Sequence, residues 1–143
     1  MTDRTGSAQW SGDLTSGTGS LRVGDGVFEG AYSFRSRFEE GSGTNPEQLI
    51  AAAHAACFTM ALSNILSEAG HAPDSVSTDA NVHLRFIDGA PTITRIDLST
   101  EGRVPGIDAG QFQEFAEDAK ANCVLSRALA AVPEIVLTAT LAG

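Results

Sequence analysis

The residues of this chain best suited to covalent chemistry are two thiols. Cys57 lies inside the run NPEQLIAAAHAACFTMAL (45–62), three positions after His54, and Cys123 stands far along the chain just before VLSRALA. A thiol is nucleophilic as the thiolate, and a free cysteine, with a pKa of about 8.5, is mostly protonated at neutral pH. A reactive cysteine therefore needs a cation, a base or aligned backbone N–H groups beside it. His54 shares a helix face with Cys57 at this spacing and is a candidate acid, base or hydrogen-bond partner. Cations are few, because the whole chain carries nine Lys and Arg. Arg35 and Arg37 precede the run. Two positions apart in a segment that reads as a strand, they share one face, so spacing does not choose between them.

The elements that must position these groups are legible. From Ala8 to about Phe38, apolar and polar residues alternate between glycine-rich turns (AQWSGDL, GSLRV, then VFEGAYSFRSRF), which predicts three antiparallel strands. Asn45 is a good N-cap, Pro46 suits the first helical position and Gln48 stands where a capping box takes Glu or Gln, so a helix starts there. It should run to about Ala69, with Gly70 supplying the left-handed residue after it, a length of about 36 Å. Leu49, Ile50, Phe58, Met60, Leu62 and the alanines between them surround its axis, which predicts a helix buried on most sides and a second subunit to cover it. Cys57 lies about twelve positions in, beyond the first turn where the helix macrodipole acts, so its activating cation must come from another segment. Residues 76–86 and 91–102 form a hairpin around Asp88-Gly89-Ala90. Asp108 and Gln111 make a second capping box, opening a helix that ends near Asn122. VLSRALA adds one or two helical turns, which would place Cys123 at an N-cap where unpaired N–H groups favour a negative sulfur. EIVLTATL is the final strand.

Composition bounds the function. With 143 residues, 42% hydrophobic and 19% charged, the chain is expected to form a single domain over 1–143, with residues 1–6 loose. A net charge of −9 without any Lys/Arg cluster argues against nucleic acid as partner. The start MTDRTGSAQW lacks the order of a signal peptide, and the apolar run Leu49 to Leu62, broken by His54, reads as too short and too polar for a membrane span. A cytoplasmic location with both cysteines reduced is the simplest expectation. No C-x-x-C occurs, which weakens thioredoxin-like and structural-zinc readings. His54, Cys57 and Cys123 lack a convincing fourth ligand, so no metal and no cofactor are expected.

Each feature also has a plain structural explanation. Two cysteines in such a domain are commonly inert small hydrophobes. A buried, hydrogen-bonded histidine is commoner than a catalytic one, the two arginines suit a solvated strand face, and Glu47 in a first helical turn fits favourable dipole placement. A non-catalytic ligand-binding or assembly module is thus the alternative to thiol chemistry.

Arg37-Phe38-Glu39, the glycine loop after it, GTNPEQLIAAAHAACFTMAL and VPGID (104–108), with a second cysteine after a helix, resemble the OsmC/Ohr family of thiol-dependent hydroperoxide reductases, its OsmC branch in particular. The resemblance spans essentially the whole chain. It implies an α+β, OsmC-like fold in which antiparallel sheets pack around a long buried central helix, in an intertwined homodimer with two sites at the subunit interface. It implies that Cys57 is the peroxidatic thiol and Cys123 the resolving one, that Arg37 holds the thiolate and that Glu47 orients Arg37. The implied activity is reduction of organic hydroperoxides, and more weakly of hydrogen peroxide, in defence against oxidative stress. Cys57 passes through a sulfenic acid to a Cys57–Cys123 disulfide, and an external dithiol, of which lipoylated proteins are a known kind in the family, restores both thiols. Phe58, Trp10 and Met60 are expected to supply apolar surroundings. One departure stands out: the family usually has proline after the resolving cysteine, and Val124 occupies that place here.

Overall fold

The computed structural model describes residues 3–143. Ten elements follow in order: β1 (Gly6–Ser11), β2 (Thr18–Val23), β3 (Phe28–Tyr32), α1 (Phe34–Phe38), α2 (Pro46–Glu68), β4 (Ser75–Ile87), β5 (Ala90–Arg103), α3 (Ala109–Asn122), α4 (Val124–Ala128) and β6 (Glu134–Leu141). They form two compact units, the first ending at Leu49 and the second spanning Ile50–Gly143. Of the expected loose residues 1–6, residues 1 and 2 lie outside the described residues, and Gly6 already opens β1.

In the first unit, β1, β2 and β3 make an antiparallel sheet in that order. Its two outer strands meet through their aromatics: Trp10 and Tyr32 flank Gly19 of β2 and their ring centroids lie 5.3 Å apart. A Cβ on Gly19 would stand 2.6 Å from each ring, so only glycine lets them close over the middle strand. The third strand stops at Tyr32, and the expected continuation through Arg35 and Arg37 is instead the helix α1. The reason is local. Ser33 Oγ accepts from the Ser36 N–H at 3.1 Å while Ser36 Oγ accepts from the Ser33 N–H at 2.8 Å, a capping box that outweighs the strand-like alternation of FRSRF. At Asn45, Oδ1 accepts from the Gln48 N–H at 2.8 Å and so starts α2.

The second unit is built on a mixed sheet in the order β4-β5-β6. A two-residue turn joins β4 to β5, with Asp88 and Gly89 both at positive φ (51° and 80°), as right-twisted hairpins require. β6 runs parallel to β5, so the expectation of wholly antiparallel sheets fails at this one ladder. α3 and α4 intervene, and a helical crossover returns the chain in the same direction. α3 starts on the reciprocal Asp108–Gln111 capping box read from the sequence.

From Ile50 onward α2 belongs to this unit and ends as expected. The Gly70 N–H donates to Ser67 C=O and the His71 N–H to Leu66 C=O, a Schellman closure around Gly70 at φ 87°. His54, Phe58, Leu62 and Leu66 recur every fourth residue and are fully buried, the last three in a core with Ile96, Leu98, Phe112, Ala116 and Ala119. The Thr59 hydroxyl donates to Thr78, which bonds to Thr100 on β5, joining helix to sheet by a polar chain. Burial on most sides is not what the single chain has: Ala52, Ala53, Ala56, Met60 and Asn64 form an exposed face. At 23 residues, with an 18-residue stretch of mean hydropathy 1.7, α2 is also long and apolar enough to cross a membrane, so its length does not exclude a span as the shorter run Leu49 to Leu62 suggested. The core helix of a soluble protein passes the same test.

Candidate active site

In α1, residues 35 and 37 are about 200° apart around the axis rather than on one face. That separates the two arginines left open by spacing. Arg35 Nε lies 3.5 Å from Glu39 Oε2, both exposed, as an ordinary i,i+4 surface pair. Arg37 Nε donates to Oε1 of Glu47 at 2.9 Å, where the glutamate side chain is only 10% exposed. The segment between them is fixed by short polar contacts. Ser36 Oγ donates to Thr44 C=O, Asn45 Nδ2 donates to Ser36 C=O, and the Thr44 N–H donates to Ala31 C=O, each at 2.8 Å. Glu47 is therefore held from a helix first turn and orients a guanidinium whose Cζ stands 5.2 Å from the centre of the Phe38 ring. Its other oxygen, Oε2, is buried and has no hydrogen-bond partner among the described residues. Arg37 also lines a cavity of about 230 Å³ with Trp10, Tyr32, Phe34 and Phe38. Larger hollows along β1–β3, of about 590 and 420 Å³, contain neither Arg37 nor a cysteine.

Both thiols are in the second unit and free. Cys57 is partly buried and packs against the core cluster of which Cys123 is a member. Cys123 is the N-cap of α4, as the sequence led one to expect, and the helix starts at Val124 without the usual proline. Its Sγ accepts from the Ser126 N–H at 3.3 Å, and its thiol donates to Ser126 Oγ at 3.1 Å. Ser126 Oγ in turn lies 2.8 Å from Nε2 of His54. His54 is fully buried and its Nδ1 has no partner among the described residues; burial pushes the imidazole below its ordinary pKa, so it is neutral at neutral pH. Ser126 escaped the sequence reading. Its signal was the spacing Cys-x-x-Ser, which sets a side chain three residues after an N-cap, back onto the capping group.

Of the three residues expected to surround the site with apolar surface, Trp10 lines the Arg37 cavity, Phe58 is fully buried in the core and Met60 is 78% exposed. Among the described residues, no group of three or more His, Cys, Asp and Glu could hold a metal ion.

These features define a class: small α+β chains with one thiol on a long apolar helix, a second capping a short helix, and a glutamate-anchored arginine. The chain belongs to the OsmC family, described as OsmC-like protein, whose profile matches residues 39–138. It is 48% identical over 129 residues to the peroxiredoxin OsmC of Escherichia coli (strain K12), covering 90% of each chain. It is 35% identical over 99 residues to the organic hydroperoxide resistance protein of Xanthomonas axonopodis pv. citri (strain 306), 68% of each. The crystal structure of the organic hydroperoxide resistance protein OhrB of Bacillus subtilis superimposes with a TM-score of 0.68 at 25% identity, covering 96% of this chain and 98% of that one.

Proposed function

We propose that this protein is a thiol peroxidase that reduces organic hydroperoxides to alcohols. Cys57 is the attacking thiol, Cys123 resolves it, Arg37 stabilises the Cys57 thiolate and Glu47 orients Arg37. The observation that carries the reading is the Arg37–Glu47 pair. A cysteine twelve positions into a helix needs an imported cation, and of the two candidate arginines only Arg37 is anchored by a largely buried carboxylate. Relatives named for peroxiredoxin activity and organic hydroperoxide resistance support the same chemistry.

In the first step the Cys57 thiolate attacks the terminal peroxide oxygen. An S–O bond forms, the O–O bond breaks, and the alkoxide leaves and is protonated to the alcohol. Cys123 then displaces the sulfenic oxygen as water and closes a disulfide, which an external dithiol, a lipoylated protein being one such donor, reduces. The Arg37 cavity, walled by Trp10, Phe34 and Phe38, suits an organic group better than hydrogen peroxide. Two free thiols suit a reducing compartment such as the cytoplasm. The exposed face of α2 supports a homodimer in which a second copy covers it.

Stoichiometric titration with cumene hydroperoxide, following free thiols and mass, tests the reading. Two thiols should be lost per hydroperoxide, with an internal Cys57–Cys123 disulfide formed. Cys57→Ser should consume no hydroperoxide, and Cys123→Ser should turn over once and retain an oxidised Cys57. Equal, slow consumption by wild type and Cys57→Ser would leave a non-catalytic module with structural cysteines.

A further inference from the structure

The buried line His54–Ser126–Cys123 has no part in the chemistry assigned to Arg37, Glu47 and Cys57. We propose that it is a proton relay that activates the second thiol, with Ser126 as the hydroxyl that touches the reacting sulfur and His54 as the positioning residue that receives the proton through it. The inference rests on Cys123 being the resolving thiol.

The geometry gives the relay a direction. With the Cys123 thiol donating to Ser126 Oγ, the Ser126 hydroxyl hydrogen is free for Nε2 of His54, which then accepts. That arrangement places the ring's own hydrogen on Nδ1, fully buried and without a partner among the described residues. A histidine kept only to fill space would gain nothing from an unpaired N–H, and a leucine would serve the stripe of Phe58, Leu62 and Leu66 better. Charged groups nearby do not take its place: on α4, Arg127 Nε donates to the Asn122 C=O at 3.2 Å. Cys123 itself belongs to an apolar core with Phe58, Phe112 and Ala119. Burial keeps His54 neutral at rest, so Nε2 offers a lone pair toward Ser126, and the same burial lets the imidazolium form only together with a compensating anion. The cationic charge it gains is balanced by the thiolate at the other end of the line.

The step balances without an outside reagent. The thiol proton of Cys123 passes to Ser126 Oγ while the hydroxyl proton of Ser126 passes to Nε2 of His54. The Cys123 thiolate attacks the sulfur of the Cys57 sulfenic acid, an S–S bond forms and the S–O bond breaks. The departing hydroxide takes the imidazolium proton and leaves as water. The sulfur oxidised by the hydroperoxide in the first step ends in the disulfide, and His54 and Ser126 return to their starting forms.

The test is made first in a Cys57→Ser background, where the nucleophilicity of Cys123 is read from its rate of reaction with 4,4′-dithiodipyridine between pH 6 and 10. Adding Ser126→Ala or His54→Gln should slow the reaction tenfold or more at pH 7. The deficit should close toward pH 10, where the thiol ionises unaided. Glutamine can still hold Ser126 through its amide but cannot take a proton, so a merely structural histidine would not give this pH profile. Rates equal to the parent at pH 7, faster rates from loosened packing, or a deficit unchanged to pH 10 overturn the relay. In the Cys57-containing protein, one equivalent of cumene hydroperoxide should leave the sulfenic acid trappable by dimedone at least ten times longer in either variant than in wild type, and equal lifetimes also overturn it. A wild type that does not consume hydroperoxide sinks the peroxidase reading instead, and the dithiodipyridine arm still decides the relay.

Discussion

Arg37 and Arg35 carry the same charge two positions apart, and their environments make them inequivalent. The Arg35–Glu39 pair is solvated at both ends and contributes little, as exposed pairs do. The Arg37 side chain is 38% exposed while its partner Glu47 is nearly enclosed, so this pair fixes a guanidinium plane more than it stabilises the chain. Arg37→Lys should accordingly lower kcat/KM for cumene hydroperoxide by roughly 10²-fold, because a point charge does not reproduce a preorganised fork of donors. Arg35→Lys should leave kcat/KM unchanged, and both variants should melt close to wild type. Equal losses in the two variants would remove Arg37 from the mechanism. Spacing made both arginines candidates and could not separate them, since a strand and a short helix assign their faces differently; the family resemblance alone pointed to Arg37. Cys57 and Cys123 were legible as candidate thiols, and Glu47 as a candidate only through the family resemblance. Ser126 was not, because a serine inside a short helical stretch carries no sign that a histidine 72 positions away lies against it.

At the scale of elements, the strongly punctuated features were readable: the Asn45 start of α2, its Gly70 stop, the Asp88-Gly89 turn and the Asp108 box all rest on backbone chemistry written in a few adjacent residues. Two features were not readable in this way. FRSRF alternates like a strand, and only the reciprocal Ser33–Ser36 bonds tip it into a helix. The direction of β6 follows from the crossover through α3 and α4, which alternation in EIVLTATL does not encode, since that pattern suits either pairing. The crossover also explains a glycine no turn requires. Gly102 sits within β5, paired with Val76 on one side and Leu141 on the other, and an added Cβ would stand 2.5 Å from the Phe112 ring of α3. Gly102→Ala should therefore force the helix outward or the ring off its rotamer, costing about 1–3 kcal/mol. Urea denaturation should read this as a lower midpoint at unchanged slope, and an unaltered midpoint would mean the α3–sheet contact is looser than its geometry.

For the whole molecule, the decisive feature is the face of α2 that its own chain leaves bare. Ala52, Ala53, Ala56 and Met60 recur at helical spacing on the side opposite Phe58 and Leu62, and Met60 is 78% exposed. An apolar face of this kind is covered by something: a second copy, another protein or lipid. The helix meets the length and hydropathy of a membrane span, yet Phe58, Leu62 and Leu66 on its other side are fully enclosed by sheet and helix residues of the same chain. A span would have to abandon that core. Small residues, by contrast, let two helices approach closely, which is how a second copy would pack here. Ala56→Arg should then introduce two unpaired charges at the centre of the interface, a cost of several kcal/mol. Sedimentation velocity at micromolar concentration should give twice the chain mass for wild type and the single mass for Ala56→Arg, with hydroperoxide turnover falling in parallel if the two sites form at the interface. A monomeric wild type, or one that floats with phospholipid vesicles, would sink the dimer and leave the bare face to a different partner.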